Sequence, residues 1–148
     1  MPKPDAPVIE ALRALLASSY VLYTKSHNYH WNVTGPMFTT LHTLFETQYT
    51  ELATAIDEVA ERIRARGAFA PGSFSEFTAL SVVAEDTGHP DAKVMIRTLV
   101  DDHRKLVDAA RRVIVAAEAA GDQASADLGT RRVDVHEKAA WMLQSHLE

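Results

Sequence analysis

The chain has 148 residues, 47% hydrophobic and 24% charged, a length that suits one domain and is short for two ordinary enzyme domains. At this size folding buries roughly 68–70% of the surface of the extended chain, so a core forms without covalent staples. The absence of cysteine excludes disulfides, thiolate zinc, iron–sulfur clusters and cysteine nucleophiles; any metal must be held by His, Asp or Glu. Fifteen Lys and Arg against twenty Asp and Glu leave a formal −5, which argues against a free-standing nucleic-acid binder.

The first residues, MPKPDAPVIEALRALLASS, carry one lysine and no uninterrupted apolar run before Arg13, so they lack the parts of a signal peptide. No eighteen-residue apolar stretch occurs, and the expectation is a soluble cytoplasmic protein without membrane contact. Residues 1–7, with Pro2, Pro4 and Pro7, are expected to form a short extended leader before a single domain over 8–148.

Four long helical patterns follow. The first, about Val8 to Val33, places Ile9, Leu12, Leu16, Tyr20 and Tyr23 at spacings of three and four. Gly35-Pro36 marks a turn of about three residues, and the second pattern, about Met37 to Arg66, repeats the apolar seam without internal Gly or Pro. A long connection, Gly67 to His89, contains a short apolar stretch, Glu76 to Ala84, suited to one or two helical turns. The third helix is expected over about Pro90 to Ala120, with Pro90 in its first turn, and the fourth after Asp122 as N-cap. Short connections make each pair an antiparallel hairpin, while the long one crosses the bundle. The expected fold class is all-α: a ferritin-like four-helix bundle with a long crossover carrying a short helix between helices two and three.

Helix two carries a second stripe, His42, Glu46, Tyr49, Ala53, Asp57 and Glu61, at spacings of four and three. It is either a solvated face or a ligand row. His27 and His30 end helix one just before the turn, so His30 and His42 flank that turn on neighbouring helices. Asp57 lies fifteen residues beyond His42, roughly 22 Å along an unbroken helix. One chain therefore cannot bring both to one metal. If a second copy packs its helix two antiparallel about a two-fold axis near Glu51 to Leu52, Asp57 and Glu61 of one chain meet His30 and His42 of the other, twice over. A di-iron centre inside one bundle would need Glu-x-x-His on two helices, and no Glu here precedes a His by three. Two imidazoles with carboxylates suit Fe(II), with zinc or manganese as substitutes, and the carboxylates favour Fe(III), which is a ferroxidase argument. Trp31 is either a packed interfacial aromatic or an electron donor that intercepts a radical formed at the iron.

The run Lys25-Ser26-His27-Asn28-Tyr29-His30-Trp31-Asn32-Val33-Thr34-Gly35, then Phe38, His42 and Glu46, then Ile56-Asp57-Glu58-Val59-Ala60-Glu61-Arg62, resembles the Dps (DNA protection during starvation) family of mini-ferritins. The resemblance spans nearly the whole chain. It implies a hollow homododecamer with ferroxidase sites at two-fold interfaces, Fe(II) oxidised preferably by hydrogen peroxide, ferric mineral stored inside, and DNA spared from Fenton chemistry. It implies His30 and His42 as ligands from one subunit and Asp57 and Glu61 from its mate. Glu46 stands where an aspartate is frequent, and His27 near the site without ligating. Asp122 and Asp127 fall where relatives line a negative pore for cations, although Asp122 also suits an N-cap and Arg131 stands where an acid would extend the funnel. His103 reads as a hydrogen-bonded core histidine; His89, His136 and His146 lack a partner ligand. Relatives that bind DNA commonly use Lys- and Arg-rich tails, yet here residues 1–7 offer one Lys against one Asp and the chain ends Leu147-Glu148. Twelve copies at −5 each carry a formal −60, and Arg62, Arg64 and Arg66 form the best basic cluster. These features rank a ferroxidase and iron store above a nucleoid-associated, DNA-compacting protein.

Overall fold

The computed structural model describes residues 5–148, whose regular structure is all helical, with α1 (Ala6–Asn32), α2 (Phe38–Ala65), α3 (Phe74–Leu80), α4 (Ala92–Ala119), α5 (Gln123–Gln144) and a closing 3-10 turn (Ser145–Leu147). α1 packs against α2, α4 against α5, and α1 against both α4 and α3, which gives the expected four-helix bundle with a helix in its crossover. Most of the leader expectation falls on residues 1–4, outside the described residues. The helix itself starts earlier than expected, at Ala6, because the Asp5 side chain accepts from Val8 N–H and Pro7 stands in the first turn, where a missing N–H costs nothing.

Caps explain the other boundary differences. The crossover helix begins at Phe74 rather than Glu76 because Ser73-Phe74-Ser75-Glu76 is a capping box: Ser73 accepts from Glu76 N–H, and Glu76 Oε1 takes bonds from Ser73 Oγ and Gly72 N–H. Asp91, not Pro90, opens α4, accepting from Val94 N–H at 3.0 Å and leaving Pro90 just outside. Asp122 caps α5 as expected. The α1–α2 turn, residues 33–37, is slightly longer than expected and reverses through Gly35 at φ +105°, a conformation that other residues adopt with strain.

The core is continuous, with Leu12, Leu16, Leu22, Tyr29, Phe45, Leu52, Ile63, Ile96, Leu99, Leu106 and Leu143 essentially inaccessible. Gly129 lets α5 approach α4 closely, since a Cβ there would lie 2.8 Å from Ile114 Cγ1 and 3.0 Å from Ala110 O. The crossover is pinned along α1: Ser18 Oγ accepts from Val82 N–H, Asn28 Nδ2 donates to Asp86 O and Gly88 O, and the Tyr29 hydroxyl donates to the Asp86 carboxylate. Below this, Lys25 of α1 and Asp102 of α4 form a buried pair at 2.8 Å.

Candidate metal centre

The end of α1 and the start of α2 are held together by two imidazoles. His30 Nδ1 lies 2.7 Å from His42 O, and His42 Nδ1 lies 2.7 Å from His30 O. A carbonyl only accepts, so both Nδ1 atoms carry protons, and in the neutral rings the lone pairs lie on Nε2. The acceptor at His30 is free because α1 stops at Asn32: its last carbonyls have no following N–H inside the helix. The rings stack with centroids 3.8 Å apart and 14° between planes. Such back-anchoring of the second ring nitrogen orients metal-ligating histidines and fixes their tautomer.

Aromatic side chains wall the pair. Tyr49 of α2 meets His30 edge-on at 5.2 Å and stacks on His27 at 4.0 Å, while Trp31 stacks on the other side of His27 at 4.3 Å. His27 is thus sandwiched between two rings and lies 6.2 Å from His30, beside the pair. Desolvation, helped by the neighbouring His30, holds its pKa below the ordinary value. Trp31 itself is 66% exposed. Tyr49 is held above its usual pKa by desolvation and then by the negative charge of Glu46, three residues earlier on α2.

Asp57 and Glu61 are exposed farther along α2 and enter no ion pair among the described residues, whereas their neighbour Glu58 is tied to Arg131 at 2.6 Å. Among the described residues, no three His, Asp or Glu side chains converge within one chain. The face that carries Asp57 is also unfinished. A groove of about 390 Å³ between α1, α2 and α3 is lined by Tyr20, Tyr23, Ala53, Ile56, Asp57 and Phe77. Glu51 and Leu52 mark the mid-level of α2 but do not face this groove: Leu52 is buried in its own core and Glu51 binds Arg132 of its own chain. A two-fold contact at that level would be made by the stripe containing Tyr49, Ala53 and Asp57.

Asp122, one of the two acids expected at a pore, is engaged within its own chain. Its carboxylate is 6% exposed and accepts from Ser125 N–H and Oγ and from Arg62 Nη2, with Arg66 Nε at 3.1 Å. Those hydrogen bonds and cations hold it below its ordinary pKa although burial pushes upward. Both of its oxygens thus have partners within the chain. Asp127 is exposed, with Gln123 Nε2 donating to it at 2.9 Å. The same contacts occupy Arg62 and Arg66, while Arg64 lies over the Phe69 ring and donates to Ala68 O, so the basic cluster is engaged internally.

Comparison with known proteins assigns the bundle. The family model described as the ferritin-like domain matches residues 9–148. The chain is 38% identical over 140 residues to "DNA protection during starvation protein 2" of Bacillus anthracis, covering 95% of this chain and 96% of that one. The chain belongs to the Dps family of ferritin-like proteins. Dps from Staphylococcus aureus superposes with a TM-score of 0.94 at 34% identity, covering 99% of this chain and 98% of the other. A Dps protein from Bacillus brevis gives 0.92 at 37% identity, covering 95% of each chain. Dps from Vibrio cholerae, described as a member of a broad superfamily of ferritin-like diiron-carboxylate proteins, gives 0.91 at 35%, covering 95% of this chain and 89% of the other. No helix among the described residues of this Dps protein is long and apolar enough to cross a membrane.

Proposed function

We propose that this Dps protein stores iron as a ferroxidase whose sites form between subunits of a hollow homododecamer, and that by removing Fe(II) and hydrogen peroxide together it protects DNA. The reciprocal lock of His30 and His42 carries this reading. It sets out two imidazole nitrogens for a transition ion and leaves the charge-neutralising carboxylates to come from elsewhere. Asp57 and Glu61 are exposed carboxylates on a face with an open, mostly apolar groove, which a second copy turned about a two-fold axis would cover. His30 and His42 bind Fe(II) from one chain; Asp57 and Glu61 from the other stabilise the higher charge of Fe(III), lowering the barrier to oxidation. Two Fe(II) give one electron each to one peroxide, the O–O bond breaks, and hydrolysis to ferric oxyhydroxide releases protons. Glu46, beside the cluster, accepts a proton or completes the ligand set, and Trp31, stacked on His27, supplies an electron when only one iron is bound. Zinc or manganese competes for the same donors, in keeping with the zinc-soaked Dps structure from Listeria innocua among its relatives. Of the two acids expected at a pore, Asp127 is the one with an oxygen free to draw cations inward.

A dimer mixed from a His30→Ala/His42→Ala chain and an Asp57→Ala/Glu61→Ala chain tests the arrangement. One of its two sites draws every ligand from the unaltered halves, so it keeps about half the ferroxidase activity. A mixed dimer with none refutes the shared site. Direct DNA binding ranks lower because Arg62 and Arg66 are paired with Asp122 and Arg64 lies over Phe69; supercoiled DNA retarded at sub-micromolar protein in physiological salt would reverse that order.

A further inference from the structure

A polar cluster away from the His30–His42 pair runs from the buried α4–α5 seam out to Glu51 of α2, whose side chain is 40% exposed. Arg132 of α5 is 4% exposed, and its guanidinium faces Glu51 of α2 through two parallel contacts, Nη1 to Oε2 at 2.5 Å and Nη2 to Oε1 at 2.9 Å. Nη2 also lies 3.1 Å from Nε2 of His136, one turn further along α5. A guanidinium only donates, so His136 Nε2 accepts and the proton of that ring sits on Nδ1. Its partner is His103 Nδ1 on α4, 2.9 Å away, which must therefore accept and carry its own proton on Nε2. Both rings are fully buried, and desolvation keeps them neutral.

The guanidinium is thus cupped by both oxygens of a carboxylate and by an imidazole lone pair whose other nitrogen is anchored from behind. A carboxylate and a back-anchored imidazole are donor types that proteins turn toward transition metals, with further donors completing the site. A further oxygen stands close by in sequence: Gln48, one turn before Glu51 on α2, is buried with Oε1 unpartnered, while its Nε2 reaches toward Ala139 O on α5 at 3.5 Å. Without Arg132 the place would present the Glu51 carboxylate and the His136 Nε2 lone pair, with the unpartnered Gln48 oxygen one turn away on α2, donors that suit a divalent ion completed by water. With it, the cation is already present and covalently part of the chain, and a second cation at contact distance would be repelled.

We propose that Arg132 is a resident organic cation in a metal-type cage formed by Glu51 and His136, with His103 holding His136 in its tautomer, and that it keeps an intrachain divalent transition-metal site closed. Metal chemistry is thereby confined to other faces of the molecule. The inference uses the interior of one chain alone and does not depend on the inter-subunit reading.

The test uses the full-length chain in a His30→Ala/His42→Ala background, so that cobalt cannot report on that pair. Adding Arg132→Ala should create uptake of about one Co(II) per chain, on the order of 100-fold tighter than its parent, with the visible absorption of cobalt bound by nitrogen and oxygen. Adding His136→Ala as well should abolish the gain, and His103→Leu in place of His136→Ala should weaken it by roughly 10-fold or more. If the Arg132→Ala protein is unfolded without metal, titration with Zn(II) should restore its helical circular dichroism. Cobalt uptake by Arg132→Ala no greater than in its parent, stoichiometric uptake by the parent itself, a gain indifferent to His136, or an unfolded variant that zinc does not rescue would each overturn the proposal.

Discussion

Acid should weaken this protein through one buried ring in particular. His103 is 2% exposed, its Nδ1 faces His136, and no partner reaches its Nε2, so the charged form has neither water nor an anion to support it. Desolvation, with Arg132 adding its positive charge, pushes its pKa down to about 3 from an ordinary 6.5. The folded-state value is the depressed one, so the neutral ring contributes stability that is complete above about pH 6.5 and is lost as pH falls toward 3. Each pH unit below the unfolded value costs about 1.4 kcal/mol, giving about 2 kcal/mol by pH 5 and about 5 kcal/mol by pH 3. His136 is also pushed well below its normal value, by burial first and then by His103 and Arg132, and acts in the same direction. His103→Gln separates the two, because a side-chain amide oxygen can still accept from His136 while nothing at position 103 titrates. Denaturant unfolding at constant subunit concentration, at pH 7, 6 and 5, should show the wild type losing about 2 kcal/mol more than His103→Gln across that range. Parallel losses in the two proteins would refute the argument that the fold requires a neutral His103.

The buried pair between α1 and α4 makes a second prediction: Lys25→Met strands the Asp102 carboxylate and should cost about 3–5 kcal/mol, whereas Lys25→Met with Asp102→Leu should recover most of the loss. The basis is that burial raises the Asp102 pKa despite the opposing hydrogen bond from Lys25, so desolvation outweighs the attraction; a double variant as unstable as the single one, by the same denaturant assay, would contradict it. At the proposed uptake route, Asp127→Asn should slow the appearance of ferric absorbance after Fe(II) addition while leaving oxidation of pre-bound iron by peroxide unchanged. Equal slowing of both would place Asp127 outside the route.

The helices were legible because the apolar seam and the breakers agree: Leu12, Leu16 and Tyr20 repeat at helical spacing, and Gly35-Pro36 interrupts where the chain reverses. Cap chemistry was equally present in the letters, in Ser73-x-x-Glu76 and in Asp91, and the boundaries shift where those side chains outcompete the hydrophobic pattern for the first free N–H groups. The pairing of His30 with His42 also follows from sequence, since a short turn forces the end of one helix beside the start of the next. What the spacing could not supply was the reciprocal bond of each ring to the other's backbone carbonyl, which selects Nε2 as the free nitrogen.

Long-range partners lay beyond the reach of periodicity. Helical spacing says which face a residue shares within its own helix, but not what the opposing helix presents there. Spacing therefore marked Asp122 as a cap, with a pore position implied only by the family resemblance, and gave no sign of Arg62 and Arg66 arriving at it from the end of α2. His136 read as a lone histidine on α5, and was joined to His103 across thirty-three positions of sequence. Composition and spacing alone determined that this chain is an all-helical bundle lacking thiolate chemistry, with Asp57 and Glu61 too far along their helix from His42 to share one metal with it. Only the tertiary structure decided which polar groups are spent inside the bundle and which remain for a metal or a second subunit, because that choice depends on contacts between helices whose relative rotation the one-dimensional pattern does not encode.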